Sequence, residues 1–364
     1  MDTLENMDKV EKILCEKASL NKVPISGAIE LLPLCNMNCE MCYIRLTKEE
    51  MESCGRLRTA DEWIEVAKQM KQAGTLFVLL TGGEPFLYKD FDKVYNALRN
   101  MGIIVTINTN GTLINEEIAD MLSENKPRRV NITLYGTSNE TYAKICKNPK
   151  GFDQTINGIK LLKERNIDVK MNISLIEENK MELPQMLKIA SELDVPIDID
   201  TYMFPKTKGI KSDFKEDCRI NPKEVANIDV AIRYNTETEE SFMRNRIDFL
   251  NKYEWAKNTE PPKEIPMLCR GGKSSFWVDW RGNMCPCVFL ENIKINLFEN
   301  SFSKCWDYII EESSKLFMPK GCVSCDKREI CQVCIASVYC ENGNLEKSPK
   351  YLCDLTDEMV RILK

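Results

Sequence analysis

The sequence predicts an α/β fold: a partial (β/α)6 barrel of the TIM type, followed by a cysteine-rich C-terminal domain. Two observations carry this prediction. From about Ile25 to Pro205, short β-branched runs alternate with amphipathic helical stretches, which is the pattern of repeated β/α units. After Met267, ten cysteines fall within about a hundred residues and regular periodicity fades, as in folds organised around metal.

The alternating part contains six predicted strands with helices between them. The strands are Ala28 to Pro33, Leu76 to Thr81, Ile103 to Asn108, Val130 to Tyr135, Val169 to Leu175 and Ile197 to Tyr202. The helices include Thr59 to Ala73, Lys89 to Met101, Asn115 to Glu124, Phe152 to Arg165 and Met181 to Leu193. Parallel β/α folds bind ligands at the carboxyl ends of their strands, so motifs that follow strands are the candidate site.

The chain divides into four predicted parts. Residues 1–24 form a helical N-terminal segment and residues 25–205 the partial barrel. Residues 206–266 are more polar, contain Pro261 and Pro262, and are predicted as a helical connector. Residues 267–364 form the cysteine-rich domain.

Composition narrows the chemistry before any motif is considered. The 364 residues include 17 cysteines and no histidine, which excludes Ser-His-Asp and Cys-His catalysis and histidine-ligated zinc. A net charge of −6, from acidic and basic residues mixed along the chain, offers no nucleic-acid footprint. The absence of a signal-peptide or membrane-span pattern predicts a cytoplasmic protein, in which many cysteines indicate thiolate ligation of zinc or iron–sulfur clusters.

Three cysteines follow the first strand in the segment LCNMNCEMCY, which gives Cys35-x3-Cys39-x2-Cys42 and then Tyr43. Three thiolates can hold three irons of a [4Fe-4S] cluster and leave the fourth iron open to a chelating amino acid. A zinc knuckle is the alternative, but zinc sites usually take four closely paired ligands. This spacing therefore favours an iron–sulfur cluster.

The cysteine motif after strand one and the motif TGGEP after strand two resemble the radical S-adenosylmethionine (SAM) superfamily. The resemblance implies that the first cluster binds SAM and that the glycine-rich stretch binds its methionyl amino group: Thr81, Gly82, Gly83, Glu84 and Pro85. Glycines let a backbone approach a ligand, and a carboxylate pairs with an ammonium. A turn that merely opens a helix is the alternative for GGEP alone.

Further matches to this superfamily are weaker. Asn108 and Asn110 end the third strand and Thr133 lies on the fourth, where the resemblance implies contacts with the ribose or carboxylate of SAM. Ordinary loop chemistry is the alternative for such residues. Many members have an arginine after strand four, and Lys147 is the candidate replacement here, without the bidentate geometry.

The C-terminal cysteines resemble the SPASM extension of radical SAM enzymes, which binds two auxiliary [4Fe-4S] clusters. The resemblance assigns one cluster to Cys322, Cys325, Cys331 and Cys353, and the other to Cys269, Cys287 and Cys334. The last pair, Cys331 and Cys334, is one residue closer than the SPASM pattern. A zinc ribbon is the alternative for this run.

The second auxiliary set lacks a fourth ligand. Cys285 is the first candidate, because residues at i and i+2 of a strand point to the same side. Cys340 is the second candidate, and an iron left open for substrate is the third possibility. The isolated cysteines, such as Cys146, are predicted to be packing residues.

These resemblances imply an enzyme that generates a 5′-deoxyadenosyl radical to modify a ribosomally made peptide, by a thioether or carbon–carbon cross-link or another side-chain oxidation. Formylglycine formation is disfavoured, because Val288 follows Cys287 where those maturases have aspartate. No catalytic residue is assigned beyond the cluster. The short segment before strand one implies a separate leader-binding protein or recognition on the barrel, and an electron donor such as flavodoxin or ferredoxin is expected. Maturation of a small-molecule cofactor or haem precursor, and a non-catalytic iron–sulfur electron carrier, are the alternatives.

Overall fold

The computed structural model describes residues 9–205 and 218–364. Its strands form one mixed sheet in the order β6-β5-β4-β3-β2-β1-β7-β8-β9. The strands are Ser26–Glu30 (β1), Phe77–Thr81 (β2), Ile104–Thr109 (β3), Arg129–Leu134 (β4), Val169–Ser174 (β5), Ile197–Asp200 (β6), Ser275–Val278 (β7), Asn283–Cys285 (β8) and Ile295–Asn296 (β9).

Helices lie between the strands and follow the sheet. In the first part of the chain they are Lys9–Asn21 (α1), Lys48–Cys54 (α2), Ala60–Gln72 (α3), Phe91–Asn100 (α4), Glu116–Glu124 (α5), Asn139–Cys146 (α6), Gly151–Glu164 (α7) and Leu183–Glu192 (α8). They continue with Pro222–Thr236 (α9), Glu239–Asn258 (α10), Phe302–Ser314 (α11), Lys320–Val323 (α12), Ile335–Asn342 (α13) and Lys350–Leu363 (α14).

Local sequence explains where these elements begin. The helix α3 starts at a capping box, in which the Thr59 side chain accepts from the Glu62 backbone and Glu62 reaches back to Thr59. Strand β1 has four of its five residues buried, as expected for a parallel strand covered on both faces. All six predicted strands and all five predicted helices of the barrel are present with small shifts at their ends.

The strands β1 to β6 are parallel and the sheet does not close, which confirms the partial barrel. The sequence did not predict β7, which pairs parallel with β1 although it lies in the cysteine-rich segment. The domain boundaries therefore stay a prediction. Residues 206–217 of the predicted connector and residues 1–8 lie outside the described residues, and no described helix has the length and apolar character of a membrane span.

One hydrophobic core runs from the barrel into the C-terminal segment. It contains Trp63 of α3 and Ile107 of β3, and it continues through Phe276 of β7 to Phe302 of α11 and Leu363 of α14. The Phe276 ring packs edge-on against Phe302, with 5.3 Å between ring centroids. The cysteine-rich segment is thus packed against the barrel as part of the same core.

The junction between β1 and β7 depends on two contacts. A Cβ atom added to Gly27 would lie 2.3 Å from the Phe276 ring, so only glycine lets this ring cross β1. Three residues further along β1, the Trp277 indole donates a 2.6 Å hydrogen bond to the Glu30 carboxylate, which is buried. Burial, followed by the charge of Asp279, raises the pKa of Glu30 to about 8.

We predict that Gly27→Ala destabilises the junction by about 1–3 kcal/mol, because the added methyl group overlaps the Phe276 ring in a packed core. The thermal midpoint of the anaerobic protein measures the loss. The double variant with Phe276→Leu should recover part of it, since the smaller side chain makes room. Equal stability of Gly27→Ala and the wild type would contradict the close packing.

Candidate functional site

A cavity of about 280 Å³ opens at the carboxyl ends of the barrel strands. It collects side chains from the loop after β1 and from the ends of β2 to β6. The lining includes the predicted site residues Cys35, Cys39, Cys42, Tyr43, Thr81, Gly82, Gly83, Asn108, Asn110 and Thr133. The structure therefore brings ten of the sequence-predicted residues to one place.

Cys35, Cys39 and Cys42, which we name the first thiol set, lie on the loop after β1. The Met37 backbone N–H points at the Cys35 sulfur over 3.4 Å, and the Arg45 N–H at the Cys42 sulfur over 3.3 Å. Burial raises the pKa of Cys35 to about 12 and that of Cys42 to about 11. Backbone N–H groups aimed at sulfur favour the thiolate that a metal cluster requires, so the loop fits a cluster.

The cluster loop is fixed in place by hydrogen bonds to two neighbouring elements. The Asn110 amide donates to Asn36 Oδ1 over 3.0 Å, and the Asn36 amide donates to Thr112 over 2.8 Å, which ties the loop to the turn after β3. On the other side, the Asn38 N–H donates to the Cys146 carbonyl at the end of α6 over 2.9 Å. Hydrogen bonds within the protein thus hold the loop on both sides.

Cys146 is a residue whose position the sequence did not indicate. It is fully buried, and its thiol contacts that of Cys39. The hydrogen bond between the Cys39 and Cys146 thiols, followed by burial, raises the pKa of Cys39 well above its usual value. A hydrogen bond with Tyr135 opposes this rise. Its isolation in the sequence predicted only packing, and nothing in its spacing pointed to the cluster loop.

The two glycines of the TGGEP motif are required by packing. A Cβ atom on Gly82 would lie 2.5 Å from the Leu32 carbonyl oxygen, and one on Gly83 would lie 2.3 Å from that of Leu34. The Gly83 N–H also donates to the Leu32 carbonyl over 2.8 Å. The end of β2 therefore lies directly on the backbone that leads into the cluster loop.

Glu84 has a different place from the one expected. Its fully buried carboxylate accepts hydrogen bonds from the Thr109 hydroxyl over 2.7 Å, the Asn110 N–H over 2.9 Å and the Phe86 N–H over 3.2 Å. Burial raises its pKa to about 7, against the lowering effect of these donors. Glu84 thus fixes the turn after β3 and is absent from the cavity lining, because three donors within the protein engage its oxygens.

Two more predicted residues are absent from the cavity lining, and their roles stay predictions. Lys147 follows α6 in a left-handed conformation, and its ammonium pairs with Glu40 over 2.9 Å. Pro85 is buried at the first position of a 3₁₀ turn. The sequence also missed four polar side chains of the lining, which are Tyr135, Asn172, Ser174 and Asp200. The alternation of inward-facing positions along β5 and β6 was the signal that could have indicated the last three.

Four C-terminal thiols, Cys322, Cys325, Cys331 and Cys353, form what we name the tail set. They line one cavity of about 160 Å³, and Cys269 and Cys334 line the same cavity. The Lys327 N–H points at the Cys325 sulfur over 3.4 Å, and the Thr356 hydroxyl at the Cys331 sulfur over 3.3 Å. Burial raises the pKa of Cys353 to about 11, followed by the charges of the other three thiols of the set. This grouping fits the ligand set that the sequence predicts.

Cys269, Cys287 and Cys334, which we name the hairpin set, also face one another. Burial raises the pKa of Cys287 to about 12, with further contributions from the charges of Cys334 and Cys269. The Ser337 N–H points at the Cys334 sulfur over 3.4 Å at the start of α13. Within the described parts of the chain, no three Cys, Asp or Glu side chains form a site for a single metal ion.

Residues 29–190 match the sequence profile of the radical SAM superfamily. These residues of the chain form a radical SAM domain. A [4Fe-4S] cluster and SAM are therefore its cofactors, and the first thiol set follows β1 inside the matched residues. The alternative of a non-catalytic electron carrier is not supported.

Relatives and solved structures cover nearly the whole chain. The AdoMet-dependent heme synthase of Methanosarcina barkeri is 25% identical over 91% of this chain and 97% of its own length. The PqqA peptide cyclase of Bradyrhizobium diazoefficiens is 23% identical over 85% and 80%. Among solved structures, Streptococcus suis SuiB bound to its precursor peptide SuiA has a TM-score of 0.68 at 18% identity, covering 96% of this chain and 82% of SuiB.

A second solved structure, anSMEcpe with bound AdoMet, has a TM-score of 0.66 at 21% identity and covers 93% of this chain and 96% of its own. At these identities the two structures show the shared fold. Because the match extends through the C-terminal segment, the predicted partial barrel followed by a cysteine-rich C-terminal segment is confirmed.

We predict that Glu84→Gln weakens SAM binding, because the amide NH2 group would face one of the three donors and displace the turn after β3, which carries the cavity residue Asn110. Equilibrium dialysis of SAM with the reconstituted protein measures the effect.

Glu182→Gln is the matched control, since Glu182 accepts from Thr137 and Thr141 away from the cavity. Iron content should stay unchanged in both variants. Wild-type SAM affinity in Glu84→Gln would show that Glu84 does not position the site.

Proposed function

We propose that this protein is a peptide maturase that holds three [4Fe-4S] clusters, one on each thiol set. The first set holds the cluster that binds SAM, and the tail and hairpin sets hold auxiliary clusters. Three groupings of thiols, each with a backbone N–H group aimed at a sulfur, support this count.

The observation that carries the choice of a peptide substrate is the charge of the cavity. None of its described lining residues is Lys or Arg, and Asp200 contributes a carboxylate. The Asp200 side chain is open to solvent through the mouth of the barrel, yet the surrounding protein raises its pKa. Substrates that carry several carboxylates or phosphates call for cationic partners. This lining suits a neutral or basic peptide segment.

Neutral polar groups add to this preference. The side-chain oxygen of Asn172 is buried and accepts no hydrogen bond from the described residues, although it lines the cavity. A buried acceptor without a donor is costly, so a bound group that donates would be stabilised there. Peptide N–H groups and side-chain hydroxyls supply such donors.

Each group of residues would have its own role in the reaction. The first set holds its cluster by three thiolates, and SAM bound at the remaining iron supplies a 5′-deoxyadenosyl radical that removes hydrogen from a C–H bond. Gly82 and Gly83 keep the end of β2 against the cluster loop, and Glu84 fixes the turn after β3. The walls of the barrel exclude water from the reacting atoms.

Maturation of a haem precursor is the second candidate. The near-complete mutual coverage with the Methanosarcina barkeri heme synthase favours it, because the chain and that relative have similar lengths. The propionate groups of a porphyrin argue against it, since the described cavity lining offers no cation.

The proposed peptide maturase has three further expected features. They are a flavodoxin or ferredoxin as electron donor, a separate leader-binding protein and a cytoplasmic location.

The test is a reaction of the reconstituted protein with SAM and a reductant in two parallel arms. One arm contains the short peptide encoded beside the gene, and the other contains an iron coproporphyrin. Mass spectrometry measures the products, and chromatography measures 5′-deoxyadenosine. We expect a peptide lighter by two hydrogen atoms for each cross-link, with one 5′-deoxyadenosine for each modification.

The Cys35→Ala protein is the control, because it lacks one ligand of the SAM cluster and should leave both compounds unchanged. Loss of carboxyl groups from the porphyrin, with an unmodified peptide, would replace the peptide proposal by the second candidate.

A further inference from the structure

The hairpin set contains three thiols, and a [4Fe-4S] cluster has four irons. The identity of the fourth ligand decides whether this cluster can bind a substrate directly. Two cysteines lie near enough in the chain to be considered, Cys285 at the end of β8 and Cys340 in α13.

Cys285 is directed to another part of the molecule. Its thiol donates to the Trp277 carbonyl across the β7–β8 pair over 3.6 Å, and it packs with Ala28 and Trp277 in a small separate core. It lines a cavity with Glu30 and Asp279 instead of with the other hairpin thiols. The charge of Cys287 does contribute to the raised pKa of Cys285, after burial, so the two residues are neighbours.

The same-side argument for Cys285 fails because the strand ends at this residue. Strand β8 covers Asn283–Cys285, and the chain bends at Pro286 and turns through Phe289. Alternation of side chains holds only while the backbone stays extended. Cys287 therefore lies in the bend after the strand, where the same-side rule no longer applies.

Cys340 and Cys287 both contact the backbone of Phe289. The Phe289 N–H donates to the Cys287 thiol, and the Phe289 carbonyl accepts from the Cys340 thiol over 3.8 Å. The two sulfurs thus lie at the two ends of a single residue. Burial raises the pKa of Cys340 to about 12, and the next contributions are the charges of Cys287 and Cys334.

Helix α13 supplies a second link. Cys334 is the N-cap of this helix, and Cys340 lies within it. Helix α13 therefore begins at Cys334, which belongs to the hairpin set. It also places the Cys340 thiol against the turn that follows Cys287, another member of the set. The thiol donates only weakly to the Phe289 carbonyl at 3.8 Å, so exchanging that contact for an iron–sulfur bond costs little.

We propose that Cys340 is the fourth ligand of the hairpin cluster and leaves no iron of that cluster open to substrate. This rests on the proposed function, which assigns a cluster to the hairpin set. A fully ligated cluster cannot bind the thiolate of a substrate cysteine. Its role is then confined to accepting an electron from the substrate radical and passing it on.

The test uses the full-length protein with the SAM cluster removed, so that its open iron does not interfere. The parent variant has Cys35, Cys39 and Cys42 changed to alanine and should keep about eight irons, four for each auxiliary cluster. Three further changes are compared in this parent: Cys340→Ala, Cys285→Ala and, as a buried thiol outside every set, Cys305→Ala.

We expect Cys340→Ala alone to keep all four irons of this cluster while it is reduced, and to lose about one iron on oxidation, with the electron paramagnetic resonance signal of a three-iron cluster. Added cyanide should alter the spectrum of the reduced cluster in this variant and leave the parent unchanged, because only an open iron binds it. Cys340→Ser, which keeps a ligating atom, should retain four irons with a shifted spectrum and shows that the helix still folds.

Each contrary result has its own meaning. Loss of iron in Cys285→Ala with an unchanged Cys340→Ala would assign the ligand to Cys285. Unchanged spectra in both variants, with a cyanide response in the parent, would establish an open iron. Either result overturns the proposal while leaving the auxiliary clusters in place. A parent without any auxiliary cluster would instead overturn the cluster count of the proposed function.

Discussion

The position of β1 between β2 and β7 is the constraint on which the rest of the structure depends. The end of β1 leads directly into the loop of the first thiol set, so whatever fixes this strand also fixes the cluster. On one side, the glycines at the end of β2 lie on the backbone after β1. On the other side, Trp277 of β7 binds Glu30 of β1 in the protein interior. The C-terminal segment is therefore attached to the strand that carries the SAM site.

The first thiol set and the hairpin set lie next to the same group of packed aromatic rings. Tyr43 follows the first thiol set, and its ring lies 5.1 Å from that of Phe289 between centroids. Phe289 in turn stacks on Phe204, which follows β6, with 3.9 Å between centroids. Tyr43 lines the cavity and the Phe289 backbone contacts both Cys287 and Cys340, so the cavity and the hairpin set both adjoin this one packed group of rings.

The sequence was sufficient wherever function depends on local spacing. The three cysteines of the first set, the two glycines after β2 and the polar residues at the end of β3 all follow strands that periodicity indicates. It was insufficient wherever a tertiary contact decides the outcome. Glu84 points into the protein because three donors surround it, and Cys146 meets Cys39 only because α6 ends beside the loop. Strand β7 was missed because its partner β1 is distant in the sequence.

The assignment of ligands in the C-terminal segment shows the same limit in physical terms. The four thiols that spacing grouped as the tail set line one cavity, which Cys269 and Cys334 also line, so the division of these cysteines between two clusters stays a prediction. For the hairpin set, spacing favoured the near neighbour Cys285 over Cys340. The bend at Pro286, which ends the alternation of side chains, reverses that order. A bend of one or two residues changes the direction of a side chain. The periodicity of a sequence does not predict such short bends.

The most direct measurement of the central claim is SAM cleavage by the protein in which Cys35, Cys39 and Cys42 are all alanine. Iron content and 5′-deoxyadenosine are measured after anaerobic reconstitution and reduction, with the wild type in parallel. The structure predicts about twelve irons in the wild type and about eight in the variant, with no 5′-deoxyadenosine from the variant. Continued formation of 5′-deoxyadenosine by the variant would contradict the claim that the first thiol set holds the cluster that cleaves SAM.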